Sequence, residues 1–352
     1  MTKSFIDIAE TLEGWQAAFS FQAFHYSPEE WLKMKWGFNA GALLDEAMDR
    51  NKLFLESQAI NETLYFDPEL PTRTLVIRGL KRPGSSLQMA VLGKIASADK
   101  EVAEKNAENY AREILSTFPH DFILKPSESR AEHDILAGND LLSRNPGIVS
   151  IQRENTFVPP MRGFHYLNGF WQTGIRSNEQ IWRALSRMNR TTMFNIILQP
   201  TVLLEDEKEL LLEIKRKVLE GEEKPAIFLP YYPWVQNCIQ RRLSPWKKFF
   251  LLQVHVACEG DVDESISRSI GSALTRDTEQ TPLPGFHTTS PETPNEAAEW
   301  LEDLRLLNLT PPQRRMDDIA DLDEVFSVFR LPLRPEAGLP GANFIEPSSA
   351  NS

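Results

Sequence analysis

The sequence predicts an α+β protein, on two observations. Apolar residues alternate with polar ones over segments of strand length, as in TLVIRGL from Thr74, TMFNIILQP from Thr192 and FFLLQVHVA from Phe249, and a period of two marks a strand. Between such segments apolar residues recur every three or four positions: Ala103, Ala107, Tyr110, Ile114 and Phe118, then Leu210, Leu211, Ile214 and Val218. That spacing is the stripe of an amphipathic helix.

Taken in order, residues 1–70 combine aromatic-rich pieces (FSFQAFHY, WLKMKWGF) with a helix over 40–55 whose Leu43, Leu44, Ala47 and Met48 share a face, and are read as a lead-in. Residues 71–145 hold a first subdomain. TLVIRGL and LQMAVLGKIAS, with Leu87, Met89 and Val91 alternating, form a hairpin across the turn RPGSS; a helix over 99–118 stops at Pro119; DFILK adds a strand.

Residues 146–332 repeat the theme. GIVSIQRE and LNGFWQTG are strand candidates, and Ser177 with Gln180 has the spacing of a capping box for a helix burying Ile181, Leu185 and Met188. TMFNIILQP is a strand, 205–219 a helix, FFLLQVHVA a strand with Phe250, Leu252, Val254 and Val256 on one face, and DESISRSIGSAL a helix. This order predicts tandem ferredoxin-like subdomains of the βαββαβ type, with mixed or antiparallel sheets covered by amphipathic helices. KPAIFLPYYPW and TPLPGFHTTSPETPN are proline-dense and read as surface connections, and 333–352 as an extended tail.

Composition narrows the functional classes. A net charge of −12 over 352 residues opposes a surface devoted to nucleic acid, which needs a positive field at least locally. Cys238 and Cys258 are the only cysteines, too few for a disulfide framework or a Cys-rich zinc site. No run is long and apolar enough for a signal or a membrane span, so a cytoplasmic protein is expected.

Catalytic signatures are missing from the linear sequence. Gly93-Lys94 lacks the glycine, at Gln88, and the hydroxyl, at Ile95, of a phosphate-binding loop. There is no HExxH, clustered His and Cys, or GxSxG elbow. Neither cofactor nor metal is expected, and the chain is not read as an enzyme; a deep pocket lined by several of His25, His120, His133, His165 and His287 would reverse that. His255 falls on the polar face of its strand and reads as half-exposed. Asp317, Asp318, Asp321, Asp323 and Glu324 read as the solvated start of a helix, as do Glu205, Asp206, Glu207 and Glu209. One basic patch stands out in QRRLSPWKKFF: Arg241, Arg242, Lys247 and Lys248 interleave with Trp246, a combination able to contact single-stranded nucleic acid or another partner.

Three pieces, LVIRGLKRPGSSLQMAVLG, FNIILQPTVLLEDE and SVFRLPLRPEAGLPG, together resemble the N-terminal, non-ATPase region of the conjugation or type IV secretion-type and HerA-like DNA-translocating ATPases. In that family the last piece precedes the nucleotide-binding domain; Phe329, Arg330, Leu331, Pro332, Leu339, Pro340 and Gly341 carry the likeness here, and no P-loop follows them. The resemblance implies an accessory scaffold that associates with a separate P-loop ATPase, with those seven residues as docking candidates. It also implies a homo-oligomer, since such proteins form rings, with DNA an indirect partner or one met through the basic patch. The alternative is an independent adaptor that binds proteins through its sheet edges and aromatic N-terminal segment.

Overall fold

The computed structural model describes residues 4–12, 14–26, 40–59, 72–157, 166–220, 232–275, 285–312, 314–332 and 344–345. The first half of the chain runs β1 (Asp7–Thr11), β2 (Gly14–Tyr26), α1 (Ala40–Gln58), β3 (Thr72–Lys81), β4 (Gln88–Ser97), α2 (Lys100–Thr117) and β5 (Phe122–Pro126), followed by α3 (Arg130–Ala137) and α4 (Asn139–Leu142). The second half runs β6 (Gly147–Arg153), a small ribbon of β7 (Asn155–Phe157) and β8 (Tyr166–Asn168), α5 (Ile175–Ser186), β9 (Thr192–Thr201), α6 (Glu205–Ile214), α7 (Tyr232–Arg242), β10 (Phe249–Cys258), α8 (Glu264–Leu274) and β11 (Phe286–Thr289). It closes with α9 (Pro294–Arg305), α10 (Arg315–Asp318), β12 (Ile319–Asp321), α11 (Leu322–Val328) and β13 (Phe344–Ile345). The mixed α+β class is therefore as the sequence predicts.

The two halves share one sheet. Across the first half the strands lie β5-β2-β4-β3, and across the second β9-β10-β6-β11, with every one of these neighbours antiparallel. The seam is β3 against β9, in register from Leu75 opposite Leu198 to Lys81 opposite Thr192. The sheet thus crosses the expected boundary at residue 145 without a break, and β2, from the expected lead-in, is an interior strand.

Side-chain alternation splits the core into two layers. Leu75 and Ile77 of β3, Phe194, Ile196 and Leu198 of β9, and Phe250, Leu252, Val254 and Val256 of β10 point to one face, where α1, α2, α5, α8 and α11 pack over them. On α2 the stripe Ala103, Ala107, Tyr110 and Ile114 is buried as the spacing predicts, with Asp99 as N-cap accepting from Val102 N. The opposite face is covered too: Val76, Leu80, Met193, Ile197 and Ala257 meet α3, α4 and α9. This second cover explains where the linear reading fails. His255 is fully buried, because the polar face of β10 is roofed rather than solvated.

Other local readings also change. Gly174, not Ser177, precedes the first turn of α5, so that helix lacks a side-chain cap. LNGFWQTG contributes only the short β8, and the helix from Glu205 passes into a π-turn at Lys215–Leu219. The proline-dense 281–295 stretch contains edge strand β11, paired with β6, and the start of α9, where Thr293 caps the amide of Glu296 and Pro294 needs no donor. WLKMKWGF, most of KPAIFLPYYPW and nearly all of the 333–352 tail lie outside the described residues. Among the described residues no helix is long and apolar enough to cross a membrane.

The seam is closed by a glycine. Trp182 of α5 packs against β3, and a Cβ at Gly79 would stand 2.6 Å from its Cζ3. The ring is fully buried and has no room to retreat. Gly79→Ala is therefore expected to lower stability by about 1–3 kcal/mol through overpacking, read by urea denaturation. Trp182→Phe in the same chain should return part of that loss.

Candidate functional site

The charged residues singled out in the sequence come together around one carboxylate. Asp321 ends β12 and caps α11, its Oδ1 accepting from the amides of Asp323 and Glu324 (3.1 Å each), while Glu324 reaches back to the Asp321 amide at 3.0 Å. This is a capping box in which both side chains are fully buried. Burial is compensated by arginines from distant parts of the chain. Arg153 of β6 donates to Glu324 Oε1 at 2.6 Å, Arg242 of α7 donates to Glu324 Oε2, and Arg241 grips Asp321 with both Nε (2.7 Å) and Nη2 (2.6 Å).

A second layer of contacts holds the same segment. The other arm of Arg153 donates to the carbonyls of Asp317 (2.5 Å) and Ile319 (2.9 Å). Arg315 makes a paired contact with Glu207 and donates to Val202 O, tying α10 to the start of α6. The ring of Phe170 lies 4.2 Å from the Arg241 guanidinium carbon, an apolar backing for a charge that would otherwise face solvent. Asp323 bridges Lys52 of α1 and Lys247. The acidic run thus starts a helix, as expected, but Asp318, Asp321 and Glu324 are buried rather than solvated.

The predicted basic patch divides accordingly. Arg242 is buried, and Arg241, Lys247 and Lys248 are each engaged within the chain, with Asp321, Asp323 and Glu56 respectively. Trp246 stands apart at 90% exposure. Beside it a half-open cavity of about 500 Å³ is lined by the end of β9, the first turn of α6 and residues 242–245 and 247–249.

Of the docking candidates, Phe329, Arg330, Leu331 and Pro332 are buried, and Leu339, Pro340 and Gly341 lie outside the described residues. Phe329 and Leu331 enter the main core. Arg330 donates to Thr173 Oγ1 (3.1 Å) and Gly174 O (3.0 Å), and burial lowers its pKa to about 10.

Among the described residues the histidines lie on separate elements. His133 Nδ1 lies 3.0 Å from Ser20 Oγ, His287 Nε2 lies 3.0 Å from Gln152 Oε1, and His255 Nε2 lies 3.2 Å from Thr310 Oγ1. Burial draws His255 down to about 3, so it is a neutral polar strut near neutral pH. Among the described residues no three His, Cys, Asp or Glu side chains are grouped to hold a metal. Arg153 and Arg78 escaped the sequence reading, since neither lies near its partners in the chain.

Two buried carboxylates titrate in opposite senses. Burial pushes Asp318 up to about 7, outweighing the hydrogen bond from Gln253 Nε2 at 2.7 Å. For Glu324 burial acts the same way, but the guanidinium groups of Arg242, Arg153 and Arg241 override it and hold the carboxyl at about 2. Glu324 therefore supplies stability that is complete above the ordinary glutamate range and lost as pH falls toward 2. Folded Asp318 keeps a proton that the unfolded chain releases between about pH 4 and 7, so its contribution falls as pH rises through that window.

Asp318→Asn should gain stability over wild type as pH rises from 5 to 8, by roughly 1–3 kcal/mol, in urea titrations at each pH. Glu324→Ala, which strands Arg153 and Arg242, should cost about 3–5 kcal/mol at neutral pH.

Compared with protein-family models and with curated proteins, the chain matches none.

Proposed function

We propose that this chain is a non-catalytic scaffold, built from two ferredoxin-like units joined edge to edge, that associates with a separate P-loop ATPase of the conjugation or HerA-like DNA-translocating kind. The two-unit reading is supported by the order of each half. Strand β2, helix α1, hairpin β3-β4, helix α2 and strand β5 repeat as β6, α5, β9-β10, α8 and β11, with α6 and α7 inserted between β9 and β10.

The association with a motor is supported by one observation above others. The described parts of the three segments carrying the family likeness, far apart in the chain, share one sheet and its core. The hairpin β3-β4 pairs through β3 with β9, which leads into α6, and Phe329 and Leu331 pack in the core that includes Leu75, Ile77, Phe194 and Ile196. The likeness therefore describes one contiguous body rather than scattered strings. Its last segment is fixed as far as Pro332, since Arg330 and the buried charge cluster hold the residues before it. A segment so fixed suits a part that must keep a constant attitude to a partner.

Chemical cross-linking of the tagged full chain in its source cells, followed by mass spectrometry, tests the proposal. A P-loop ATPase cross-linked to residues beyond Pro332 is expected. Recovery of partners without any P-loop protein would favour the independent adaptor and defeat the proposal. On its own the chain is expected to give no gel shift with single-stranded DNA at physiological salt, because its clustered cations are engaged internally.

A further inference from the structure

We infer that the half-open hollow is a binding site for a small organic phosphomonoester, of nucleoside monophosphate size, whose phosphate is held by Arg242. The anchor is a guanidinium with one edge unused. Arg242 ends α7 with only 6% of its surface exposed, and its Nη1 is committed to Glu324 Oε2. Among the described residues its Nε and Nη2 find no acceptor, yet neither is sealed in protein, and the side chain lines the hollow of about 500 Å³. That edge presents two parallel N–H groups, the fork that fits two oxygens of a phosphate.

The opposite wall adds donors of another kind. Leu204 and Glu205, which open α6, line the same hollow, and Leu204 has no side-chain oxygen to cap that helix, so its first-turn amides and positive dipole end are left for a ligand. Ser244 brings a half-exposed hydroxyl. Glu205 is the one carboxylate in the lining; its side chain is 83% exposed and paired with Lys208.

The local charge fits a dianion. Glu324 and Asp321 serve three guanidinium groups, those of Arg153, Arg241 and Arg242, and Asp323 alone serves both Lys52 and Lys247. Each set is one carboxylate short, a positive excess within a chain of net charge −12. Lys208 and Lys248 add nothing, being matched by Glu205 and Glu56, and Asp318, pushed up to about 7 by burial, removes only part of one charge near neutral pH. The remaining walls are aliphatic, with Val202, Leu243 and Pro245, and the exposed ring of Trp246 stands between the lining residues Pro245 and Lys247. Such walls suit an organic body beside the phosphate, which a bare ion lacks. An internucleotide phosphate fits less well, since it carries a single charge and brings a sugar on either side into a half-open hollow. The inference does not rest on the motor partnership.

Isothermal titration calorimetry of the full chain with inorganic phosphate, the common ribonucleoside 5′-monophosphates and the matching nucleosides tests the site. Phosphate should bind saturably, at least one monophosphate should bind about tenfold more tightly or better, and the nucleosides should give no saturable heat. Ser244→Asp, at a half-exposed position, should weaken monophosphate binding at least about tenfold by setting a like charge against the anion. Arg242→Lys keeps a cation for Glu324 but loses the fork, and should weaken binding by a similar factor; if its melting curve shows that it does not fold, Ser244→Asp decides. The inference is overturned if wild type binds neither phosphate nor any monophosphate, or if no monophosphate binds more tightly than phosphate. Nucleosides that bind as tightly as their monophosphates, or unchanged binding by Ser244→Asp, would overturn it equally.

Discussion

Much of the second half of this protein depends on the carboxylate of Glu324. It accepts from Arg153 on one oxygen and Arg242 on the other, with no exposure to water. Withdrawing such charges from solvent costs several kcal/mol per ion, and their attraction recovers this only where geometry is good and remaining donors are satisfied. Here they largely are. Arg153 spends its second nitrogen on two backbone carbonyls, and Glu324 also accepts from the amide of Asp321. The consequence is mutual obligation. Strand β6, helix α7 and the 317–324 segment must all be in place, or some buried charge is left alone.

The seam between the halves solves a similar problem without a carboxylate. Arg78 of β3 is fully buried, and its guanidinium donates to Asn195 Oδ1 on β9 (2.9 Å), to the Leu304 carbonyl (2.8 Å) and to the Ala137 carbonyl. Ala137 ends α3 and Leu304 lies in the last turn of α9, so the cation sits where the last-turn carbonyls and negative dipole ends of two helices converge. Burial still pulls its pKa down to about 9. One side chain thereby fastens the roof helices of both halves to the shared strand pair.

What the sequence made legible was local. Alternation in β3, β9 and β10 and the stripe on α2 each reflect a single element against a single core, and period alone reveals them. Roofing of the second face is not local. Gln253 and His255 look like solvent-side residues until the 306–312 segment, arriving over fifty residues later, supplies Thr310 as their partner. The basic patch shows the same limit. Arg241 and Arg242 stand next to Trp246 in sequence and invite a surface reading, yet their counter-ions are some eighty residues away at Asp321 and Glu324. The one local clue was the spacing of Asp321 and Glu324, which has the capping-box form.

The disposition of charge bears on what such a body can do. Glu324 is held ionised and His255 neutral by their settings, so neither is poised to exchange protons near neutral pH. Asp318 comes nearer, but it is buried against Gln253, whose other contacts run to Thr310. Polar groups here fix one segment to another. Phe329, Arg330 and Leu331 follow directly from α11, so the chain's course as far as Pro332 is determined by the same cluster that joins β6 to α7. A surface that engages a partner gains most from such rigidity, because little ordering entropy remains to be lost when contact is made.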